Sequence, residues 1–283
     1  MSELIDGKAV AQKVRAEVRA RVKTFYEKYA VKPKLSVILV GDDPASKVYV
    51  ANKQKACEKV GIESDTHVLG ADTKMPELLS LIDTLNADKS VNGILVQLPL
   101  PKGLDPDAVT SHIAPEKDVD GLTPVNAGLL FEGRALLEPC TPSGCIELLK
   151  RYEVPLAGAK AVIIGRSKLV GKPLAVQLLR ENCTVSLCHS KTMNVSEYTK
   201  NADIVVCATG RPGLLTGDMV KPGAVVLDVG ITRMADGSLS GDADFESVSK
   251  VAGLITPVPG GVGPMTIAML VKNTIIAAEA QNG

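Results

Sequence analysis

The chain has 283 residues, past the length at which one hydrophobic core usually stops growing, so two domains are expected. Its 32 basic residues balance its 32 acidic ones and the isoelectric point lies near 6.8, which argues against a nucleic-acid or acidic-membrane partner. The 6 cysteines form no Cys-x-x-Cys pair, and the chain has neither an apolar signal core nor a membrane-length apolar run; the expectation is a cytoplasmic protein with no metal and no membrane contact.

Val10, Val14, Val18 and Val22 recur at every fourth position and Phe25 and Tyr29 extend the same face, predicting an amphipathic helix over 8–29. Pro33 ends it. The apolar run from Leu35 to Val40 reads as a buried strand that ends in the turn Gly41-Asp-Asp-Pro44, and 45–60 reads as a helix closed by Gly61. On that helix Ser46, Tyr49 and Lys53 are spaced to share one face. A tyrosine and a lysine at this spacing equally suit a surface helix along which both snorkel, so chemistry would need a further partner. His67-Val-Leu69 is a strand, 76–85 a helix, and Gly93 to Leu98 another strand. Pro99 and Pro101 stop that strand and place Gln97 near the carboxyl edge of the sheet, where ligands of open α/β sheets bind.

From Pro115 to Pro142 turn formers dominate, with a short helix over 125–131. Asp118 and Asp120, within Lys117-Asp-Val-Asp-Gly121, are either turn-forming acids exposed to water or groups that bind a heterocycle or cation. The expected domains are 1–138 with 266–283, and 139–265. In the second, a helix over 143–152 leads to the strand Lys160-Ala-Val-Ile-Ile164, the turn at Gly165, a basic loop and a helix from Leu174. A strand feeding a helix through such a turn directs free N–H groups and the helix dipole at one spot, which suits a pyrophosphate. The standard glycine fingerprint is not met, because Ser167 and Val170 occupy its second and third glycine positions and Gly171 comes one residue late. On its own, the loop fits an ordinary βα turn equally well.

Strands at 184–188, 204–208 and 224–228 continue the alternation. After the first of these comes His189-Ser-Lys-Thr192, with no acid to meet an adenosine ribose; Ser190 and Lys191, with Arg166 from the first turn, suit a 2′-phosphate, so NADP is expected over NAD. Residues 234–241 read as a surface hairpin. The glycine and proline loop around Gly260, Gly261 and Gly263 precedes an apolar helix over 265–280 that returns to the first domain. His67 and His112 have no partner pattern and read as structural or surface residues.

In order along the chain, Tyr49-Val-Ala-Asn-Lys53, Gln97-Leu-Pro-Leu-Pro101, Lys117-Asp-Val-Asp-Gly121, Pro139-Cys-Thr-Pro-Ser-Gly144, Gly165-Arg-Ser-Lys-Leu-Val-Gly-Lys-Pro173, His189-Ser-Lys-Thr192, Asp228-Val-Gly-Ile231 and Thr256-Pro-Val-Pro-Gly-Gly-Val-Gly-Pro264 closely resemble the methylenetetrahydrofolate dehydrogenase/cyclohydrolase family, the bifunctional FolD-type enzymes. The resemblance covers nearly the whole chain; a minor departure is Thr232, where many members have Asn. It implies two α/β domains with a cleft between them, the first binding folate and carrying the catalytic groups, the second Rossmann-like and binding NADP, in a homodimer. The implied activity is NADP-dependent oxidation of 5,10-methylenetetrahydrofolate to 5,10-methenyltetrahydrofolate and hydrolysis of that product to 10-formyltetrahydrofolate, at one site and without a metal. By the same resemblance Lys53 assists the hydrolysis, Tyr49 packs on the folate ring, Gln97 hydrogen-bonds Lys53 and Asp120 hydrogen-bonds the pterin. Pro259 and Gly260 join these in binding substrate, while Gly165, Arg166, Ser167, Ser190 and Ile231 contact the cofactor. A shikimate-type dehydrogenase and a non-catalytic NADP sensor are the alternatives, and neither accounts for Gln97 and Lys53 together. Short-chain dehydrogenases also carry Tyr-x-x-x-Lys, but after the nucleotide loop, not before it.

Overall fold

A computed structural model of the protein describes residues 2–283. The chain runs β1 (Glu3–Leu4), α1 (Gly7–Tyr29), β2 (Lys34–Val40), α2 (Pro44–Val60), β3 (Glu63–Leu69), α3 (Met75–Ala87), β4 (Gly93–Val96), α4 (Pro106–Ser111) and α5 (Pro124–Phe131). It continues through α6 (Cys140–Arg151), β5 (Lys160–Ile164), α7 (Gly171–Arg180), β6 (Thr184–Cys188), α8 (Val195–Thr199), β7 (Ile204–Cys207) and β8 (Val225–Asp228). The last elements are β9 (Thr232–Arg233), β10 (Leu239–Ser240), α9 (Phe245–Val248), β11 (Leu254–Ile255) and α10 (Val262–Asn282). Two α/β units result: Gln12–Cys140 with Ile267–Gly283, and the chain up to Ala11 with Thr141–Thr266.

The first unit holds a parallel sheet in the order β3-β2-β4. Central β2 is buried along nearly its whole length, as its continuous apolar run requires of a parallel strand covered on both faces. Ile38 and Val40 of β2 and Ile94 and Val96 of β4 pack with Leu78, Ile82 and Leu85 of α3, and each such side chain stabilises the fold by about 1.5–3 kcal/mol relative to exposure. Pro44 and the Asp43 cap, whose carboxylate accepts from Ser46 N at 2.7 Å, start α2. Gly61, at φ 85°, ends it by donating back to Cys57 and Glu58 carbonyls. The valine face of α1 is buried as its spacing predicts, through Val10, Val14, Val18, Val22 and Phe25.

The second unit holds a parallel six-stranded sheet in the order β1-β11-β8-β7-β5-β6. Strand order reverses at β5, which has β6 on one side and β7 on the other. The N-terminal residues belong here, not with the first domain as expected, because β1 pairs with β11 in the register Glu3↔Leu254 and Leu4↔Ile255. The 232–240 segment forms the antiparallel hairpin β9–β10. Helices α6, α7 and α10 begin at Cys140, Gly171 and Val262, each earlier than the apolar periodicity alone indicates, and β3 extends back to Glu63.

Candidate active site

In the first unit the helix α2 and the end of β4 bring together the groups singled out in the sequence. Lys53 Nζ donates to Gln97 Oε1 at 2.9 Å, while Gln97 Nε2 donates to the Leu98 carbonyl at 2.6 Å. With its amide nitrogen committed to the backbone, the Gln97 carboxamide presents only its oxygen to the lysine. Gln97 itself is buried and anchored through its own N–H to Ile38 O at 2.9 Å. Tyr49, one turn before Lys53, is exposed, whereas Ser46 is buried, so the face expected to carry all three is split.

The motif Lys117-Asp-Val-Asp-Gly121 shows why Asp120 is where it is. Lys117 is buried and its ammonium donates to the carbonyls of Leu85, Asn86 and Asp88 at 3.0, 2.8 and 2.6 Å, closing the C-terminal end of α3. Burial pulls its pKa down, against the charges of Asp88 and Glu116. Asp118, also buried, accepts from Leu122 N, Thr123 N and Asn126 Nδ2 at 3.1, 2.7 and 2.9 Å and so fixes the turn leading into α5. Val119 fills the core beside Gly93, where an added Cβ would meet its Cγ1 at 2.5 Å. Asn273 of α10 donates to the carbonyls of Val119 and Glu138, each at 2.8 Å. The motif is thus tied down on every side of Asp120, whose carboxyl stays half-buried and free of backbone partners among the described hydrogen bonds. Burial raises its pKa, the positive charge of Lys53 opposes that shift, and Asp118 reinforces it. The exposed-turn alternative for these acids therefore fails for Asp118, which is structural.

In the second unit a cavity of about 450 Å³ opens where the strand order reverses. The residues after β5 (Gly165, Arg166, Ser167), β6 (His189, Ser190) and β7 (Thr209) contribute to its wall. Gly165, at φ +127°, lies so close to β7 that an added Cβ would meet Ala208 O at 2.2 Å, and a Cβ on Gly171 would meet Gly165 O at 1.9 Å. Gly171 therefore does the close-packing work of the fingerprint's third glycine, one residue late. Val170 N donates to Ser167 Oγ at 3.1 Å, so the serine closes the turn that the second glycine would otherwise make. Among the described residues no carboxylate lines the cavity, whereas Arg166 and Arg211 do, and Val195, Leu214 and Met219 give it an apolar side. That donor set fits a phosphorylated adenosine carrying a 2′-phosphate.

Residues 139–282 match the family model described as tetrahydrofolate dehydrogenase/cyclohydrolase, NAD(P)-binding domain, and residues 5–120 match the catalytic domain of the same family. The chain belongs to the tetrahydrofolate dehydrogenase/cyclohydrolase family. It is 52% identical over 278 residues to the bifunctional protein FolD of Nitrosospira multiformis, covering 98% of this chain and 96% of that protein. The crystal structure of the FolD methylenetetrahydrofolate dehydrogenase/cyclohydrolase of Campylobacter jejuni superposes with a TM-score of 0.97 at 50% identity, covering 99% of both chains. The Trypanosoma brucei FolD enzyme, solved with NADP and an inhibitor, superposes with a TM-score of 0.94 at 38% identity, covering 100% of this chain and 99% of that one.

Of the residues the family pattern picks out, Lys53, Gln97 and Asp120 are brought together in the first unit, with Tyr49 exposed one turn earlier on the helix that carries Lys53, and Gly165, Arg166, Ser167 and Ser190 line the cavity in the second. Ile231 is exposed and is not among the lining residues; its Cδ1 lies 3.5 Å from where a Cβ on Gly263 would sit. Pro259 and Gly260 lie in the second unit, after a cis Val258–Pro259 bond, with Gly260 at φ +114°. Thr209 and Arg211 were not picked out from the sequence. Their position at the carboxyl end of β7 is the available signal, since that edge of every strand flanking the reversal faces the ligand.

Proposed function

We propose that this chain oxidises 5,10-methylenetetrahydrofolate to 5,10-methenyltetrahydrofolate with NADP and hydrolyses the product to 10-formyltetrahydrofolate, using Tyr49, Lys53, Gln97 and Asp120 for both. The observation that carries this is the 2.9 Å hydrogen bond from Lys53 Nζ to Gln97 Oε1, with the Asp120 carboxyl within the electrostatic reach of the same ammonium. NADP, when bound, supplies the two-electron acceptor for the oxidation. The chain's own part in that step is to orient: Tyr49 lies against the folate ring and Asp120 hydrogen-bonds the pterin's nitrogen-bound hydrogens, with Pro259 and Gly260 as further substrate contacts. Arg166 and Ser190 hold the 2′-phosphate, Gly165 and Ser167 allow close approach of the phosphates, and Ile231 completes the cofactor contacts.

Hydrolysis asks for proton management. Water adds to the methenyl carbon and loses one proton to give a neutral hydroxyl adduct; the hydroxyl then gives up its own proton to form the formyl carbonyl as the carbon–N5 bond breaks and N5 takes up a proton, leaving the formyl group on N10. Net, one water is consumed and one proton released. We assign the relay of these protons to Lys53 Nζ, and the hydrogen bond that holds it to Gln97 supports that reading. No group of three or more His, Cys, Asp or Glu suited to a metal occurs among the described residues, and neither step is assigned to one. We further assign a homodimer in the cytoplasm, on the family resemblance; no helix among the described residues is long and apolar enough to cross a membrane. The test is NADPH formation by the purified protein with 5,10-methylenetetrahydrofolate. A shikimate-type dehydrogenase would form NADPH with a hydroxylated ring acid instead, a sensor with neither, and light scattering would read the subunit count.

A further inference from the structure

Two carboxylates lie buried beneath the cavity-lining turns of the second unit, and nothing in the proposed chemistry uses them. Asp228, at the end of β8, is 4% exposed and accepts from Gly230 N at 3.1 Å, Asp242 N at 2.9 Å and Ala243 N at 2.8 Å. Asp242 is 0% exposed and directs one oxygen, Oδ2, at Thr209 N at 2.5 Å, Thr209 Oγ at 2.8 Å and Gly210 N at 3.2 Å. Its other oxygen has no hydrogen-bond partner and is packed against Gly230, where an added Cβ would meet it at 2.1 Å. Neither acid has a cation partner among the described ion pairs. Burying two carboxylates without a cation partner is costly, and only the N–H and hydroxyl donors gathered around them offset that cost.

What the two acids share is the shape of the wall. Thr209 follows β7 and lines the cavity, and its turn is pinned by the side chain of Asp242. The backbone of Asp242 is in turn pinned by Asp228, and its carbonyl accepts from Leu215 N at 3.2 Å, next to the cavity-lining Leu214. Thr232, beyond Gly230 and Ile231, donates from Oγ to Gly210 O at 3.3 Å, which closes the network from the opposite side. The two turns are therefore held to each other through Asp242.

We propose that Asp242 is a positioning residue of the cofactor cavity: its carboxylate fixes the Thr209–Gly210 turn against the turn that follows β8, and so sets the cavity's shape before ligand arrives. The proposal rests on the assignment of this cavity to NADP. Its physical content is preorganisation, in which a turn already held in its binding conformation loses less freedom when ligand binds.

The test is Asp242→Asn, which keeps the side-chain shape and one acceptor oxygen but replaces three charge-assisted hydrogen bonds with neutral ones. NADP affinity is read by calorimetry on wild type and variant, with hydrogen exchange of the 205–211 segment and the folate KM alongside. Wild type is expected to bind NADP; the variant is expected to bind at least about tenfold more weakly, to exchange faster in that segment, and to keep its folate KM. Wild type that does not bind NADP overturns the cavity assignment itself. Wild type that binds, with a folded variant that binds equally well or whose folate KM rises in proportion, overturns the positioning role alone. Should the Asn variant fail to fold, Thr209→Val removes one donor and keeps the carboxylate; about threefold weaker NADP binding is expected, and unchanged binding overturns the proposal.

Discussion

Replacing Lys53 with Met separates the two proposed activities. The substitution keeps the length of the side chain and removes the amine, so the hydrogen bond to Gln97 Oε1 is lost and that oxygen, on a side chain only 8% exposed, is left without its partner. The folding cost is about 1–3 kcal/mol, because the orphaned acceptor bears most of it. Removing the ammonium also removes the principal influence that opposes burial at Asp120, so the Asp120 carboxyl rises further above the usual carboxylate range. A positioned acid or base contributes roughly a hundredfold to ten-thousandfold, or about 3–5 kcal/mol of barrier, so methenyl hydrolysis should fall by that factor. Oxidation needs orientation but no obligatory protein base, and should fall much less. NADPH formation and methenyl decay are measured separately, with folate binding as a check on packing. Normal hydrolysis in the variant, or equal loss of both activities with folate binding intact, would refute the proton role of Lys53.

Arg166→Ala should weaken NADP binding by about tenfold to a hundredfold, the value of a charge-assisted pair, while NAD binding barely changes; equal loss for both cofactors would dismiss the phosphate role. Asp120→Ala should raise the folate KM or lower kcat in both reactions and spare NADP affinity, whereas damage confined to hydrolysis would mark Asp120 as a proton carrier instead. The carboxyl of Asp228 is pushed up from 3.8 to about 6, mainly by burial, against the pull of the Ala243 and Asp242 N–H groups. A raised folded-state pKa means that its stabilising contribution is present below about pH 4 and lost as pH rises through about 6, by about 3 kcal/mol in all. The stability of wild type minus that of Asp228→Asn should therefore decline from pH 4 to pH 7 in thermal unfolding; a difference that grows with pH would contradict this assignment.

The long parallel strands were legible because each is dominated by apolar residues: Leu35 to Val40, interrupted only by Ser36, Ala161 to Ile164 and Ile204 to Cys207 announce themselves without context. Helical spacing alone also puts Tyr49 and Lys53 one turn apart on α2. What escaped the sequence has a common cause. Strand β1 is two exposed residues whose strand partner lies about 250 positions later, so it has no pattern of its own. Lys117 and Asp118 look like solvated charges until three helix-end carbonyls and a turn are seen to converge on them. Asp242 sits in a Gly-Asp-Ala-Asp stretch that reads as surface, and only the approach of Thr209 and Gly230 from distant segments makes it a buried acceptor. The late Gly171 illustrates the converse: the fingerprint fails as a string, yet the contact it encodes, helix start against strand end, is present.

We propose that one folate pocket, built on Lys53, Gln97 and Asp120, serves both reactions. It is tested most directly by titrating a non-reactive tetrahydrofolate analogue against the two activities in a single preparation. One shared pocket predicts that NADPH formation and methenyl hydrolysis are lost in parallel, with the same inhibition constant. Hydrolysis that persists while the oxidation is fully inhibited, or the reverse, would contradict it.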